Sequence, residues 1–404
     1  MYPDMMLKSV LERDKLSKTM IFFQGVYDTL DLFTDSLTEA FSQMGMETFV
    51  YHASHQEKSK EELLKLLERS GDAAVVTFNN LGYNLDLADG RNIWDVYNVP
   101  YIDILMDHPF HYGRPLSHMP ETAVILCTDK NHVAYIRRFF PNIRKCGFLP
   151  HAGVEYVPHG GALDTRKISV LYAGALPIYT VSKMIPDLRS IPEVDGEDMA
   201  QAVLAELVHH PYKTTEQAIE EYVRSVRGDV SDERLHELIV TMRFLDSYAT
   251  SFFREQAVRS LVENGISVTA YGVGWNQCEW SDHPNLIYGG KVLAPQILPL
   301  MNDSKIVLNT LTWFKAGAHD RIFNGMLAQA AVVTDDSTYL NDIFTDGQQL
   351  SMFCLEQIRE LPEKVHELLS HPKQLQELAD RGYEAARTAH TWKNRAQEIC
   401  AMME

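Results

Sequence analysis

The sequence predicts an α/β protein made of two doubly wound domains that follow each other along the chain and face each other across a cleft. Short apolar or β-branched runs alternate with helical patterns from one end to the other. Continuous apolar strands bounded by helices are typical of parallel sheets covered on both faces. The length of 404 residues also exceeds what a single ordinary core accommodates, so two domains are expected.

The first half contains five strand-like runs and three helix-like stretches, which we assign to a first domain over residues 1–160. The strand-like runs are TMIFFQGV (19–26), ETFVYH (47–52), AAVVTF (73–78), YIDILMD (101–107) and AVILCTD (123–129). The helical stretches are 34–44, 58–68 and 131–140. In such a sheet, ligands bind beyond the carboxyl ends of the strands.

The second half repeats the alternation after a segment without periodicity at 151–167. Its strand-like runs are KISVLYAGAL (167–176), SVTAYGVG (267–274), NLIYGG (285–290), KIVLNT (305–310) and AAVVTDD (330–336). We predict a second domain over 161–385 with a polar helical insertion at about 186–237, which could act as a lid or as a cap on the first domain. The last helix, 386–404, is expected to pack back on the first domain.

Composition disfavours several partners. The chain has 37 Lys and Arg against 55 Asp and Glu, a formal charge of −18, which repels nucleic acid and anionic lipid at long range. The acidic N-terminus does not resemble a signal peptide, and no run of about 18 apolar residues occurs. The cysteines are scattered and odd in number, as in a reduced protein. The five cysteines are Cys127, Cys146, Cys278, Cys354 and Cys400. Together these features lead us to expect a soluble cytoplasmic protein without a membrane span.

Two glycine loops in the second half are candidates for close contact with a ligand. Gly272 and Gly274 follow a strand, as in a dinucleotide fingerprint, but Gln277 stands where G-x-G-x-x-G needs its third glycine. Gly174 similarly follows the strand that begins the second half. Either loop could equally be a sharp turn.

The stretch WFKAGAHDRIFNGMLAQAAVVTDD (313–336) predicts an anion site where a small-residue loop enters a helix. A helix N-terminus presents unpaired N–H groups and the positive end of its dipole, which suits a phosphate. His319 and Arg321 add donors, and Arg can hold two phosphate oxygens at once. Asp320 in the first turn stabilises the helix. The alternative is an ordinary surface ion pair between Asp320 and Arg321.

In the first half, MDHPFHY places Asp107, His108 and His111 just beyond a strand's carboxyl end. Asp107 could orient a hydroxyl group or accept its proton, and either histidine could stabilise charge. Two histidines that flank a proline could also hold a metal ion, although no third ligand follows at a fixed spacing. The alternative is a capping Asp with two surface histidines.

The run AHDRIFNGMLAQAAVVTDDSTYLNDIFTDGQQLSMF resembles the donor-binding region of GT-B glycosyltransferases, and more closely their CgeB-like (spore maturation protein) branch. The segments HPNLIYGGKVLAPQILPLMNDSKIVLNT and VPYIDILMDHPFHY are similar to the same family, so the resemblance covers most of residues 100–390. It implies two Rossmann-like domains of the GT-B type. Asn324 stands where the family commonly has a Glu that holds the nucleotide ribose.

The resemblance also implies which residues form the donor site. The glycines would line the nucleotide pocket, the basic group would lie near the diphosphate, and the strand ends would lie near the donor. These candidates are Gly174, Gly272, Gly274, Lys291, Asn309, His319, Asp320, Arg321, Asn324 and Thr334.

The resulting expectation is a metal-independent glycosyltransferase that moves a sugar from a nucleoside diphosphate sugar, UDP by resemblance, to a protein, glycan or small-molecule acceptor. It needs no cofactor besides the donor. The open alternatives are a nucleotide-sugar epimerase on the same fold and a non-catalytic binding or assembly protein, which Asn324 would permit. A dehydrogenase is disfavoured by the missing third glycine.

Overall fold

A computed structural model of the protein describes residues 18–69, 72–179, 185–311 and 313–403. Within these residues the chain forms two six-stranded sheets in which every pairing is parallel, and helices surround both. The predicted fold class is therefore confirmed. The first 17 residues of the predicted first domain lie outside the described part.

The first sheet has the order β2-β1-β3-β4-β5-β6. Its strand order reverses between β1 and β3, so a crevice opens at their carboxyl ends. Strand β6 was not predicted. The strands are β1 Thr19–Gln24, β2 Glu47–His52, β3 Ala73–Phe78, β4 Tyr101–Leu105, β5 Ala123–Cys127 and β6 Lys145–Phe148. The helices are α1 Asp28–Gln43, α2 Gln56–Arg69, α3 Ile93–Val96, α4 Gly113–Ser117 and α5 Lys130–Phe139.

The second sheet has the order β12-β11-β10-β7-β8-β9 and reverses between β7 and β10. Strand β12 was not predicted. The strands are β7 Ile168–Ala173, β8 Val268–Tyr271, β9 Leu286–Gly290, β10 Ser304–Asn309, β11 Ala331–Asp335 and β12 Ser351–Phe353. The helices that follow the insertion are α9 Phe244–Glu263, α10 Ala294–Asn302, α11 Asp320–Leu327, α12 Thr338–Ile343, α13 Leu361–Ser370, α14 Pro372–Ala389 and α15 Trp392–Met403.

The insertion consists of α6 Gly196–His209, α7 Thr215–Arg227 and α8 Asp232–Met242, and it packs on the outer face of the first domain. Arg138 on α5 pairs with Glu220 at 2.7 Å and Asp232 at 2.6 Å. The loop before α7 also reaches the second domain, where the Tyr212 hydroxyl donates to Asp336 at 2.6 Å. The described insertion therefore contacts both domains, and its role as a lid or cap stays a prediction.

The last helix, α15, packs in the core of the first domain. The Trp392 ring lies 4.9 Å from Phe33 and 5.4 Å from Phe78, measured between ring centroids. The chain re-enters the first domain next to the segment through which it left that domain. At this point the backbone N–H of Gly153 donates to the His390 carbonyl at 2.8 Å. The two domains are thus joined by two adjacent segments.

Among the described residues, no helix is both long and apolar enough to cross a membrane.

Candidate functional site

A cavity of about 640 Å³ lies between the two domains, at the carboxyl ends of both sheets. Both crevices predicted by the strand orders open into it, since Asn79 follows β3 and Gly174 follows β7. From the first domain its wall includes Tyr27, Asp28, Phe33, Asn79, Asp107 and Tyr112. From the second it includes Gly174, Gly272, Lys291, Trp313, Phe314, His319, Asp320, Arg321 and Asn324.

The glycine loops after β7 and β8 contact each other at the cavity wall. Gly272 has φ +127°, and a Cβ there would lie 2.6 Å from the carbonyl group of Gly174. The Gly174 N–H donates to the Tyr271 carbonyl at 2.9 Å, and the Gly174 carbonyl accepts from the Trp275 indole at 2.7 Å. Both loops are therefore fixed, and Gly174 and Gly272 face the cavity, whereas Gly274 does not line it.

The small-residue loop before α11 docks the second domain on the first. A Cβ on Gly317 would lie 2.3 Å from the Thr128 carbonyl oxygen, just beyond β5. The Asp129 carboxylate accepts from the Ala316 N–H at 2.7 Å. Close approach of the two backbones therefore explains the glycine, which the sequence had assigned to an anion loop. Thr312, in the same loop, falls outside the described residues.

At the start of α11, three consecutive side chains form one hydrogen-bonded chain. His319 Nδ1 lies 2.5 Å from the Asp320 carboxylate, and its Nε2 lies 2.9 Å from the Arg321 guanidinium. Since a guanidinium only donates, Nε2 accepts and Nδ1–H donates to Asp320. In this tautomer Nδ1 cannot also accept from the Arg321 backbone N–H, which lies 3.3 Å away. Burial, and then the nearby Arg321, lower the pKa of His319, which fits this neutral tautomer. Asp320 and Arg321 are therefore connected through the His319 ring, in place of the surface ion pair considered from the sequence.

The Arg321 guanidinium is also fixed to the second sheet at its switch point. Its Nη1 donates to the Asn309 side-chain oxygen at 3.0 Å, and Asn309 in turn donates to the Thr334 hydroxyl at 3.0 Å. Asn309 and Thr334 are buried and do not line the cavity. They hold Arg321 in place. We therefore assign them a supporting role behind the cavity wall instead of the predicted contact with the donor.

A second arginine, which sequence reasoning missed, lies behind the same wall. Arg254 on α9 is 5% exposed and donates to the Ala175 carbonyl at 2.7 Å. A Cβ on Gly174, next to Ala175, would lie 3.5 Å from the Arg321 guanidinium carbon, so both arginines lie beside the same loop. Burial and then the charge of Arg254 lower the pKa of Arg321. The only sequence signal was an arginine on the helix face that carries the buried Thr250 and Val258. Two neighbouring guanidinium groups favour an anion in this part of the cavity.

Asn324 lines the cavity and connects α11 to the segment that joins the domains. Its amide nitrogen donates to Asp320 at 3.0 Å, and its oxygen accepts from the Val154 N–H at 2.7 Å. A glutamate at this position could not donate to Asp320 and would place two carboxylates together. The asparagine that replaces the family's glutamate is therefore suited to its neighbour Asp320. Lys291, also predicted, is exposed at the rim of the cavity.

On the opposite wall, Asp107 is held by one of its two oxygens. Its Oδ2 accepts from the Tyr112 hydroxyl at 2.7 Å and from the Asn79 amide at 3.0 Å. Asn79 is itself fixed, because its side-chain oxygen accepts from the Met106 N–H at 2.8 Å. Among the described residues Oδ1 has no hydrogen-bond partner, so the carboxylate is oriented and can still bind a ligand.

The two histidines predicted beside Asp107 do not line the cavity. His108 is buried against the insertion, with its Nε2 3.3 Å from Glu216 and its ring stacked 3.8 Å from Phe110. Its Nδ1 accepts from the Phe110 N–H at 3.2 Å. His111 is exposed. In the described residues no three His, Cys, Asp or Glu side chains are grouped so that they could hold a metal ion.

His151, at the start of the segment without periodicity at 151–167, also lines the cavity. It is 3% exposed, and neither ring nitrogen has a partner among the described residues. No local pattern distinguished it, because its position depends on how the two domains meet.

The two sheet-and-helix domains that face each other across this cavity form a two-domain α/β fold of the GT-B type. Residues 250–401, less than half of the chain, match a family model described as "Glycosyl transferase-like", which supports the predicted glycosyltransferase class. The match leaves the CgeB-like branch a prediction. No protein with a curated description matches the chain.

Several solved structures are similar to this chain at low sequence identity. HepE of Anabaena, in complex with UDP and glucose, aligns with a TM-score of 0.50 and 8% identity over 96% of this chain and 99% of that chain. Sucrose-phosphate synthase of Thermosynechococcus elongatus has a TM-score of 0.49 and 10% identity over 96% and 98%. TarM of S. aureus has a TM-score of 0.45 and 12% identity over 84% of this chain, which spans 56% of TarM.

Proposed function

We propose that the protein transfers a sugar from a nucleoside diphosphate sugar, with UDP as the nucleotide, to a hydroxyl group of an acceptor. The main support is one cavity with Arg321 fixed on one wall and Asp107 fixed on the other. The glycosyl transferase-like domain and the UDP bound to HepE agree with this chemistry.

The second domain holds the leaving group in this proposal. The bond between the anomeric carbon and the diphosphate oxygen breaks, and UDP leaves with the electron pair. Arg321 donates to the diphosphate while Arg254 and Lys291 add positive charge nearby. Fixed donors in a cavity with little water stabilise such developing charge more strongly than solvent does. His319 and Asn309 keep the guanidinium from turning away.

The first domain presents the acceptor. The acceptor oxygen forms the new bond to the anomeric carbon, and its proton passes to Asp107 Oδ1 if the reaction inverts. In a retaining reaction the proton passes to the departing diphosphate, and Asp107 orients the hydroxyl. Asp28 and Asp107 are the charged groups of the described first-domain wall, which has no Lys or Arg. A neutral or cationic acceptor therefore fits this wall better than an anionic one.

The proposal is tested by calorimetry with UDP, followed by incubation of UDP-sugars with neutral, cationic and anionic acceptor alcohols. UDP binding together with glycoside formation supports it. Binding without turnover would indicate a non-catalytic binding protein, for which the Asn324 departure is the motivating observation. A new sugar epimer formed without acceptor would indicate an epimerase, and absence of UDP binding would overturn the shared premise.

Metal independence is a separate prediction. If Arg321, Arg254 and Lys291 neutralise the diphosphate, transfer should be unchanged in excess EDTA. Initial rates with EDTA, with added Mg²⁺ and with added Mn²⁺ provide the measurement. Activity that disappears with EDTA and returns with either ion would contradict the assignment, since these side chains would then be insufficient.

A further inference from the structure

His151 is a buried residue of the cavity wall whose two ring nitrogens have no hydrogen-bond partner among the described residues. Its ring lies 5.5 Å from Phe314 and 5.8 Å from His319 of the second domain, and 6.4 Å from Phe33 of the first. It is 3% exposed and neither nitrogen has a partner among the described residues. Buried polar groups are nearly always hydrogen-bonded, so this exception calls for a ligand or an ordered water.

The chemistry of the ring restricts what that ligand can be. Burial lowers the pKa of His151 to about 3, so the imidazole is neutral near pH 7. A neutral imidazole offers one donor and one acceptor. An alcohol offers the same pair, whereas a phosphate offers mainly acceptors. The ring therefore suits a hydroxyl group.

The position of His151 indicates which hydroxyl group. The ring lies parallel to His319, with 8° between the planes, and His319 contacts the Arg321 guanidinium assigned to the diphosphate. The same ring also lies 6.4 Å from Phe33, which belongs to the wall assigned to the acceptor. The part of the reactants between diphosphate and acceptor is the sugar being transferred.

We propose that His151 binds a hydroxyl group of the transferred sugar and thereby contributes to the choice and orientation of the donor. This inference rests on the proposed function. It adds a sugar contact that belongs to neither domain's sheet, since residue 151 lies in the segment joining the domains.

The test compares UDP with UDP-sugar in two variants. His151→Phe keeps an aromatic ring but removes both hydrogen-bonding groups, and His151→Asn keeps one donor and one acceptor. For His151→Phe we expect the Kd of UDP to be unchanged and the Kd of a UDP-sugar to rise by about two- to tenfold, the loss of one hydrogen bond to a neutral group. His151→Asn should recover part of this loss.

Calorimetry with UDP and UDP-glucose provides the measurement, and UDP-N-acetylglucosamine replaces UDP-glucose if the unmodified protein binds it more tightly. His132→Phe is the matched control, because His132 is 1% exposed, has two unpartnered nitrogens among the described residues, and does not line the cavity. It should alter neither Kd.

Each outcome separates the two proposals. An unmodified protein that binds neither ligand would overturn the proposed function. An unmodified protein that binds both, with His151→Phe weakening both equally or neither, would overturn the role of His151 alone. If His151→Phe does not fold, judged by its melting curve, His151→Asn decides. The amide of asparagine lies closer to the backbone than the imidazole nitrogens do, so it should bind the sugar hydroxyl group less well. An unchanged Kd of UDP-glucose and an unchanged transfer rate in His151→Asn would therefore overturn the role of His151.

Discussion

Replacing Asp107 by asparagine is expected to lower the rate of sugar transfer by roughly 10²–10⁴ if Asp107 accepts the acceptor's proton, the usual range for a lost proton-transfer group. Asparagine keeps the size of the side chain, and its oxygen can still accept from Tyr112 and Asn79. UDP affinity should be unchanged, because the diphosphate is assigned to the opposite wall. Turnover per UDP-binding site, from initial rates and calorimetry, provides the measurement.

The control is Asp28→Asn, which removes the same charge from the same wall. The Asp28 carboxylate accepts from the Ala294 N–H at 2.6 Å, a contact that asparagine can retain. Its effect should be far smaller than that of Asp107→Asn. Equal effects would show that only the charge of the wall matters. A small loss at Asp107 would identify it as an orienting residue, and a lower Tm with full turnover would assign it a purely structural role.

Replacing Arg321 by alanine should raise the Kd of UDP tenfold or more. A hydrogen bond to a charged group contributes on the order of 1.5–3 kcal/mol, and tenfold in Kd corresponds to about 1.4 kcal/mol. Alanine also leaves His319 Nε2 and the Asn309 oxygen without their donor, so a moderate decrease in Tm is expected as well. Calorimetry with UDP and a thermal melt are the two measurements.

Two further variants separate charge from geometry at this position. Arg321→Lys keeps the charge but loses the planar fork, so its UDP Kd should lie between those of the unmodified protein and Arg321→Ala. Arg387→Ala removes an exposed arginine whose partner is Glu384 on the same helix, and it should bind UDP normally. Unchanged UDP affinity in Arg321→Ala would exclude Arg321 from the nucleotide site.

The sequence predicted the sheets well because central parallel strands are apolar on both faces, and a continuous apolar run is visible without knowledge of neighbours. Strands β6 and β12 were missed for the opposite reason. Each is an edge strand of four or three residues, and β6 contains Lys145 and Gly147. Their pairing is fixed by the strand beside them, and so their own residues carry little signal.

The site was predictable where chemistry is local and not where it depends on packing. Arg321 and Asp107 follow strands in an order that places them at carboxyl ends, so their approach to one cavity could be expected. Gly317 was misinterpreted, since a glycine that permits a domain contact looks like one that permits a ligand contact. Arg254 and His151 are separated in sequence from the other site residues and were missed for that reason.

The return of α15 to the first domain also has a consequence for biosynthesis. Domains generally fold as units, the N-terminal one first, as the chain leaves the ribosome. Here the core around Phe33 and Phe78 lacks the Trp392 ring until residues 392–403 have been made. The strands of the second domain are all translated before that point. The domain that is translated first is therefore expected to be completed last.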